Sequence, residues 1–357
     1  RAAGRTPARA AQFVAADLAA LPMYMAHRED VVLAPRPSLR VLRTLHRMGV
    51  EIPQFLPDRA ALGDRILGDE APWGRAEQVV RVDKAAALSL RTRLLQEVSS
   101  PLWARCGGRI CTDVVDAPIG KNFIAKAPLS ASGQQRVHLE SPTAEAWLKR
   151  QLKSGPVVIE PWYERLADVS IQLDVTDDGF RNLGVTRFWT AGSGAYRGAV
   201  LGPWSAGVDP DVLRHLHGGG KGSLINVALE QTGAFVGAEL HTMGIRGPAG
   251  IDCMVIRQAG EVRFLPILEV NPRCTMGRIS LELHRSTGLR GGWFFVDDEM
   301  AQRAGHPDRP ALIDAVEATD GVAFTSDPET AQHALTLLAG ATNMAAAIER
   351  WTGLGFD

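Results

Sequence analysis

Three side chains in the C-terminal third of the chain carry oxygen atoms suited to hold a divalent cation. Asp252, Glu269 and Asn271 lie within two apolar runs that a short connection, Ala259-Gly260, separates. Two apolar runs joined by a short glycine-containing connection predict a β-hairpin. Because side chains alternate along a strand, we expect the three to share one face of this hairpin.

The register of the hairpin can be counted from its tip. If Gln258 faces Glu261, counting outward places Asp252 opposite Ile267 and diagonal to Glu269. Two carboxylates at diagonal distance on an apolar hairpin repel each other and lose hydration unless a cation lies between them. Mg²⁺ binds one or two carboxylates and completes its octahedron with water and phosphate oxygens. The pattern therefore predicts a site for Mg²⁺ together with a nucleotide phosphate.

Arg273 lies two residues beyond Asn271, and its guanidinium has the fork geometry that binds a phosphate or acyl-phosphate oxygen. The alternative is a hairpin with solvated acids, in which Asn271-Pro-Arg273 forms only a turn.

A second group of residues is suited to phosphate binding. Phe123-Ile-Ala-Lys126 predicts a strand that delivers a lysine into a loop of small residues. Small residues let backbone N–H groups approach a phosphate closely. The small residues of this loop include Ser130, Ser132 and Gly133.

Gly250-Ile-Asp252 followed by Glu269-Val-Asn271-Pro-Arg273 resembles the metal-binding end of the ATP-grasp enzymes. That superfamily includes D-alanine–D-alanine ligase, carbamoyl phosphate synthetase and glutathione synthetase. The onward stretch Cys274-Thr-Met-Gly-Arg278-Ile-Ser280 is similar to the segment after the same motif in carbamoyl phosphate synthetase. The resemblance covers about residues 80 to 290 and matches no single enzyme. It implies an α+β ATP-grasp fold, with two lobes that enclose ATP and a small α/β domain before them.

The resemblance also implies roles for residues upstream. Lys84, which opens an apolar-periodic helix, and Lys126 resemble the two ATP lysines of the family, although Asp-Lys at a helix start is also an ordinary charge arrangement. Glu160 and Trp162 resemble the hinge strand, whose backbone hydrogen-bonds the adenine edge. Asp168, expected to start the next strand, stands where the family places an acid on the ribose. Its alternative role is a strand-edge charge.

The resemblance implies three binding sets. One or two Mg²⁺ ions, with Mn²⁺ as an alternative, would bind Asp252, Glu269 and Asn271; ATP would bind Lys84, Lys126, Ser130, Ser132, Gly133, Glu160, Trp162 and Asp168; and Arg273 and Lys126 would act in catalysis. Arg187 and Arg197 are candidates for a substrate carboxylate, which favours a bidentate guanidinium, and Arg278 is a third candidate.

By this resemblance we expect an ATP-dependent carboxylate–amine ligase that forms an amide or peptide bond through an acyl phosphate and releases ADP and phosphate. One alternative is a phosphotransferase or bicarbonate-activating enzyme of the same fold. Another is a nucleotide-binding protein without catalysis. The complete metal set argues against the last of these.

Composition agrees with an ordinary multi-lobed protein. The chain has 357 residues, 45% of them hydrophobic and 22% charged, with a net charge of -1. This charge gives no electrostatic reason to expect nucleic acid or an anionic membrane as a partner. We expect small-molecule carboxylate and amine partners; a homodimer is an open option. The first residues have the character of a trimmed end, and no signal-peptide core is evident in them.

Four cysteines, at positions 106, 111, 253 and 274, have no zinc spacing and favour a cytoplasmic location. Strand alternation turns Cys253 away from Asp252, which predicts a core position. Cys274 follows Arg273, so one interpretation places it at the substrate, but a buried or bystander thiol is the better interpretation.

The resemblance implies four segments. They are an N-terminal α/β domain over 1–80, a small lobe over 81–155, a large lobe with the metal site over 156–290, and a segment over 291–357 that completes the large lobe. The first contains a strand–helix–strand unit, in which Ser38 caps the helix and Gly49 ends it.

The run His217-Gly-Gly-Gly-Lys221-Gly-Ser223 invites a phosphate-loop interpretation. It is not a Walker loop, because glycine follows the lysine and no strand leads into it, so a linker before a helix is the better interpretation. The histidines are scattered, and His215, His217 and His241 are expected to be surface or capping groups.

Overall fold

The computed structural model describes residues 14–65, 68, 82–105, 107–128, 135–191, 194–218 and 223–356. Among these residues, no helix combines the length and the apolar character needed to cross a bilayer. The described residues form both helices and strands, so the expected mixture of helix and sheet is confirmed.

The described residues form fourteen strands. They are β1 (Val31–Leu33), β2 (Gln54–Leu56), β3 (Arg109–Cys111), β4 (Phe123–Lys126), β5 (Arg136–His138), β6 (Val157–Pro161), β7 (Glu164–Thr176), β8 (Gly179–Thr190), β9 (Tyr196–Leu201), β10 (Gly247–Gln258), β11 (Glu261–Asn271), β12 (Arg290–Val296), β13 (Val322–Phe324) and β14 (Leu335–Ala341).

The named α-helices are α1 (Leu39–Arg47), α2 (Lys84–Glu97), α3 (Ala144–Leu152), α4 (Pro210–His217), α5 (Leu224–Thr242), α6 (Met276–Thr287), α7 (Asp298–Arg303), α8 (Arg309–Ala318) and α9 (Met344–Gly353). Short 3₁₀ turns lie at Leu21–Met25, Ala60–Leu62 and Val114–Asp116.

The chain forms two compact units. The terminal unit comprises Arg1–Ala76, Arg197–Ala206 and Met276–Asp357, and the central unit comprises Glu77–Tyr196 and Gly207–Thr275. The boundaries of these two units differ from the boundaries of the four segments expected from the sequence. The four segments stay a prediction.

In the terminal unit, the expected strand–helix–strand segment is confirmed. Strands β1 and β2 pair in parallel, and α1 connects them. Ser38 occupies the N-cap position as expected, but its side chain makes no capping hydrogen bond. The unit's larger sheet has the strand order β9-β12-β14-β13. Its core includes the fully buried Trp293, whose indole N–H donates to Thr325 Oγ1 at 2.7 Å. A buried indole needs such a partner, and Thr325 supplies it.

The central unit contains two sheets that carry the candidate site. A four-stranded sheet has the order β3-β6-β4-β5, and the strands β11-β10-β7-β8 follow one another as antiparallel neighbours. The turn between β10 and β11 has positive φ at both Ala259 and Gly260, at 51° and 83°. Positive φ at both central positions is the type I′ turn that suits a two-residue hairpin. The hairpin and its tip are therefore as predicted.

Helix α5 covers one face of the long strands, because small residues let it approach. A Cβ atom at Gly233 would lie 3.4 Å from a side-chain methyl of Ile171, and a Cβ at Gly237 would lie 2.5 Å from the ring of Phe180. Since residues alternate along β7, the residues on either side of Ile171 point to the opposite face. That opposite face is the one that carries the candidate site.

Candidate functional site

Asp252 and Glu269 face each other directly across the hairpin. The expected register is wrong at this point, because Asp252 pairs with Glu269 and not with Ile267. The tip has the expected register, with Gln258 opposite Glu261 and Met254 opposite Leu265. The register then shifts by two residues between Met254 and Asp252, which moves the two acids from a diagonal to an opposed position.

A β-bulge causes this shift. Between the pairs on either side, Cys253 stands alone on β10, whereas Pro266, Ile267 and Leu268 occupy the same interval on β11. Pro266 has no N–H to donate to the ladder. Ile267 has a φ of 51°, a conformation that costs a β-branched residue energy and is found mostly where the surrounding structure enforces it. Bulges of this kind re-aim side chains next to functional sites.

Hydrogen bonds fix both oxygens of Asp252. Oδ1 accepts from the Ser170 hydroxyl at 2.8 Å, and Oδ2 accepts from the Asn271 amide at 3.2 Å. Asn271 Oδ1 in turn accepts from the Arg273 guanidinium at 3.2 Å. The three expected metal ligands and Arg273 therefore lie in one contiguous patch.

The electrostatics of this patch fit a cation. Burial and the neighbouring Glu269 raise the pKa of Asp252 to about 7. The raised pKa reflects burial and the repulsion between two opposed carboxylates. A divalent ion bound to both would offset this repulsion. Within the described ranges no cluster of three or more His, Cys, Asp and Glu side chains is placed to hold a metal, so the donor set here consists of two carboxylates and one amide.

A row of buried polar side chains supports Asp252, and the sequence interpretation missed it. The Gln172 amide donates to Ser170 Oγ at 2.9 Å, and Gln172 Oε1 accepts from the Thr275 hydroxyl at 2.7 Å. Ser170 and Gln172 alternate with apolar residues along β7, so the alternation gave a signal for a polar face. Their contact with Asp252, 82 positions away from Ser170, depends on strand pairing.

Lys84 belongs to the same patch. It is the first residue of α2, whose N-cap Asp83 accepts a hydrogen bond from the backbone N–H of Ala86 at 2.8 Å. Lys84 Nζ lies 3.8 Å from Glu269 Oε2. Burial lowers the pKa of Lys84, while Glu269 acts in the opposite direction.

Lys126 and Glu160 form an ion pair on the neighbouring sheet. Lys126 Nζ donates to Glu160 Oε2 at 2.5 Å, and the Arg91 guanidinium donates to Oε1. Burial opposes ionisation of Glu160, but Lys126 and Arg91 outweigh it and lower its pKa to about 2. The Glu160 side chain therefore has a role that the sequence did not indicate. Its expected role, adenine binding through the backbone, stays a prediction.

Asp168 lies inside a strand and not at its start, because β7 begins four residues earlier at Glu164. Its carboxylate is buried and accepts a hydrogen bond from Arg165 at 2.9 Å, so a solvated strand-edge charge is excluded. Asp168 is two positions from Ser170 on the same strand, which places it on the face of Asp252.

Trp162 follows β6 and is 37% exposed. His138 packs edge-on against its ring at 4.4 Å between centroids, and the Arg136 guanidinium lies 5.8 Å from the ring centroid. The expected phosphate-loop residues Ser130, Ser132 and Gly133 lie outside the described residues, as do Cys106 and residues 219–222 of the glycine-rich run.

The three arginines expected to contact a substrate carboxylate do not all belong to the same unit. Arg187 pairs with Val169, so it is on the α5 face of the sheet, opposite to Asp252. Arg197 and Arg278 belong to the terminal unit, where they form ion pairs with Asp297 at 3.2 Å and Glu282 at 2.7 Å. The structure therefore does not bring Arg187 onto the face of the acids.

The remaining expectations concern thiols and imidazoles. Cys253 is fully buried, and burial raises its pKa to about 12, which confirms its core position. Cys274 is also buried. His217 Nδ1 lies 2.7 Å from Ser223 Oγ, and His241 Nε2 lies 2.9 Å from the Asp177 carbonyl oxygen. These partners fit surface and capping roles.

No protein-family model matches the sequence, and no curated protein matches it significantly. Solved structures do match. N5-carboxyaminoimidazole synthetase from Staphylococcus aureus, complexed with ADP, is 8% identical, with 76% of this chain and 71% of that chain covered and a TM-score of 0.50.

Two further structures are similar. The N5-carboxyaminoimidazole synthase from Aspergillus clavatus, in complex with ADP and 5-aminoimidazole ribonucleotide, is 9% identical, with coverage of 93% and 98% and a TM-score of 0.49. The biotin carboxylase domain of 2-oxoglutarate carboxylase from Hydrogenobacter thermophilus, with MgADP, ADP and bicarbonate, is 12% identical, with coverage of 76% and 64% and a TM-score of 0.46. At such low identity a structural match shows the fold alone. The chain has the ATP-grasp fold that its motifs predict.

Proposed function

We propose that this protein is an ATP-dependent ligase that joins a carboxylate to an amine through an acyl phosphate. The observation that carries the proposal is the direct opposition of Asp252 and Glu269, with Asn271 bonded to Asp252 and Lys84 at 3.8 Å from Glu269. Two opposed acids beside a lysine are a donor set that would hold a divalent ion together with the phosphates of a nucleotide.

Asp252, Glu269 and Asn271 would hold one or two Mg²⁺ ions, or Mn²⁺ in their place. When bound, the metal neutralises charge on the phosphates and polarises the phosphoryl group. In its absence, the raised pKa of Asp252 favours a proton on the acid pair.

Two lysines would bind the phosphates of ATP. Lys84 extends from the start of α2, and Lys126 extends from the end of β4. Arg273, held at Asn271, would bind the acyl phosphate through its guanidinium fork. We assign the adenine edge to the backbone at Glu160 to Trp162, next to the ion pair of Lys126.

Further nucleotide contacts are proposed for Asp168 and for the small residues after β4. Asp168 would accept from the ribose hydroxyls, and Arg165 holds its carboxylate in place. Ser130, Ser132 and Gly133 would contribute small-residue contacts to the phosphates, as their composition suggests.

The chemistry requires positioning and charge neutralisation. An oxygen of the substrate carboxylate attacks the γ-phosphorus of ATP, and the bond to the bridging oxygen of ADP breaks. The amine then attacks the acyl carbon, phosphate leaves with the bonding electron pair, and the amine loses a proton. No side-chain nucleophile takes part, which suits a site of lysines, an arginine and acids that hold a metal.

A bicarbonate-activating reaction is the second candidate. The Staphylococcus aureus structure is named for a carboxyamino product and holds ADP, which supports including bicarbonate among the acids to be tested. We propose small molecules as substrates and the cytoplasm as the compartment.

The test is a hydroxamate assay with ATP, Mg²⁺, hydroxylamine and pooled carboxylates. Hydroxylamine captures an acyl phosphate whatever the natural amine is. Glu269→Gln serves as the inactive variant and Glu261→Gln, the same substitution at the hairpin tip, as its matched control.

Hydroxamate formed by the wild type and by Glu261→Gln, but not by Glu269→Gln, would support the ligase and identify the acid. ADP release that depends on bicarbonate would favour the second candidate. Binding of Mg·ATP without turnover on any acid would contradict both enzymatic proposals.

A further inference from the structure

One helix connects the two lysines proposed for ATP. Lys84 begins α2, and Arg91 lies seven residues on, which is the same face of the helix two turns later. Arg91 donates to Glu160, and Glu160 accepts from Lys126. The two cations use different oxygens of one carboxylate, Oε1 for Arg91 and Oε2 for Lys126.

The three groups differ in exposure. Arg91 is 2% exposed and Glu160 is 5% exposed, whereas the side chain of Lys126 is 21% exposed. Lys126 is therefore the partner that can reach a ligand from solvent, and Arg91 is the partner that stays buried with the acid.

The difference in exposure determines which cation stays with Glu160 when Lys126 moves to bind a phosphate. Glu160 then keeps one of its two cations, Arg91. Without Arg91 the same movement would leave the buried carboxylate without either of its two hydrogen-bonded cations, and removing one partner from a buried ion pair is strongly unfavourable.

We infer that Arg91 is a positioning residue for the nucleotide: it holds the charge of Glu160, so that Lys126 can exchange this carboxylate for a phosphate oxygen. The inference rests on the proposed ATP-dependent function. The exchange moves an ammonium group between two acceptors and breaks no covalent bond.

Gly108 gives independent support, because it leaves the space that the ion pair fills. A Cβ atom at this position would lie 2.8 Å from Leu88 Cδ1, 3.0 Å from Arg91 Nη2 and 3.4 Å from Glu160 Cγ. The first two separations are shorter than the contacts that side chains normally make, and the third is an ordinary contact. A larger residue at position 108 would therefore displace the pair.

The experiment measures the Kd of Mg·ATP by titration calorimetry. Arg91→Met is expected to raise Kd at least about tenfold, which corresponds to about 1.4 kcal/mol. Adding Glu160→Gln to Arg91→Met removes the stranded charge, so Kd should return to within about threefold of the wild type, since coupled sites show non-additive effects. Arg93→Met is the matched control, because Arg93 lies on the same helix and pairs with Glu239 at the surface. It should leave Kd unchanged.

Recovery in the double variant separates an electrostatic role from a packing role. If Arg91→Met weakens binding equally with and without Glu160→Gln, Arg91 contributes only packing and the inference is overturned. Circular dichroism and the unfolding midpoint establish that each variant is folded.

If Arg91→Met does not fold, Gly108→Ala provides the second test. It crowds Leu88 in both backgrounds and the ion pair only in the wild type, so it should raise Kd severalfold more in the wild-type background than in the double variant; an equal rise in both would overturn the inference. A wild-type protein that does not bind Mg·ATP would instead contradict the proposed function itself.

Discussion

Lys84 Nζ lies 3.8 Å from Oε2 of Glu269, the acid that stands opposite Asp252. An ammonium group thus contacts one member of an acid pair whose other member has a raised pKa. The contact reduces the repulsion between the acids without removing it, because the pKa of Asp252 remains raised beside it. A divalent ion would compensate both.

Replacing Glu269 tests this arrangement. Glu269→Gln is expected to lower kcat/KM by at least about 100-fold, the scale seen when a group that stabilises transferring charge is removed. Without Mg²⁺, its unfolding midpoint should equal or exceed that of the wild type, because the variant removes a like charge from Asp252. Steady-state kinetics and thermal unfolding measure the two effects.

Glu261→Gln is the control for this variant and should change neither quantity appreciably. Mg²⁺ should raise the unfolding midpoint of the wild type and of Glu261→Gln but not that of Glu269→Gln. A metal response retained in Glu269→Gln would contradict the ligand assignment.

The Glu160 ion pair predicts a dependence of stability on acid pH. Its folded pKa of about 2 lies below the ordinary value of 4.5. A lowered carboxylate pKa contributes stability that is present above the unfolded pKa and lost as pH falls towards the folded pKa. The contribution is on the order of 3 kcal/mol, since one pKa unit is worth ~1.4 kcal/mol.

Urea unfolding from pH 6 down to pH 3 measures this contribution in the wild type and in Arg91→Met/Glu160→Gln. Below pH 4.5 the free energy of unfolding should fall more steeply in the wild type. Only in the wild type does unfolding free a paired Glu160 carboxylate, which then binds a proton. Parallel pH profiles would show that the pair does not govern acid stability.

Burial of Cys253 predicts slow thiol chemistry. Because the thiol is fully buried and its pKa is raised to about 12, a disulfide reagent at pH 8 should modify it only when the structure opens. Peptide mass mapping over time gives the rate for this residue. Denatured protein is the control, and equal rates in native and denatured protein would contradict the burial.

The contact between α5 and β8 predicts a steric effect. Gly237→Ala would place a Cβ atom 2.5 Å from the ring of Phe180, and such overpacking costs about 1–3 kcal/mol. Phe180→Leu added to this variant should recover part of the loss. Denaturant unfolding measures both variants.

Gly353→Ala is the matched control, because Gly353 also lies in a helix and no described atom lies within 4 Å of its added Cβ. It should leave stability unchanged or raise it slightly. A loss at position 353 as large as that at 237 would show that the effect does not come from Phe180.

The hairpin shows how far the sequence determines the site. Its apolar runs and Ala259-Gly260 predicted the two strands and the tip, which the structure confirms, whereas the ligand role of Asp252 stays a prediction. The register at the acids was not predictable by counting, because Pro266 and Ile267 interrupt the ladder. Alternation along a strand does not reveal where a bulge lies.

The Glu160 cluster shows the same limit for tertiary contacts. Arg91 and Glu160 are 69 positions apart, and Glu160 and Lys126 are 34 apart. In the sequence, Arg91 stands among leucines of an apolar-periodic helix, and only its burial shows that it needs an acid partner. The resemblance supplied Lys126 but did not indicate what holds it.

The bulge on β11 means that the positions of the two acids depend on residues outside the metal-binding motif. Glu269 keeps its position opposite Asp252 because of the backbone of Pro266 and Ile267, and neither residue offers a metal ligand. A chain could therefore retain every acid and amide of the motif and still lose their opposition through a change at these two positions. Conservation of this site during evolution therefore requires the backbone conformation at Pro266 and Ile267 as well as the metal-binding side chains.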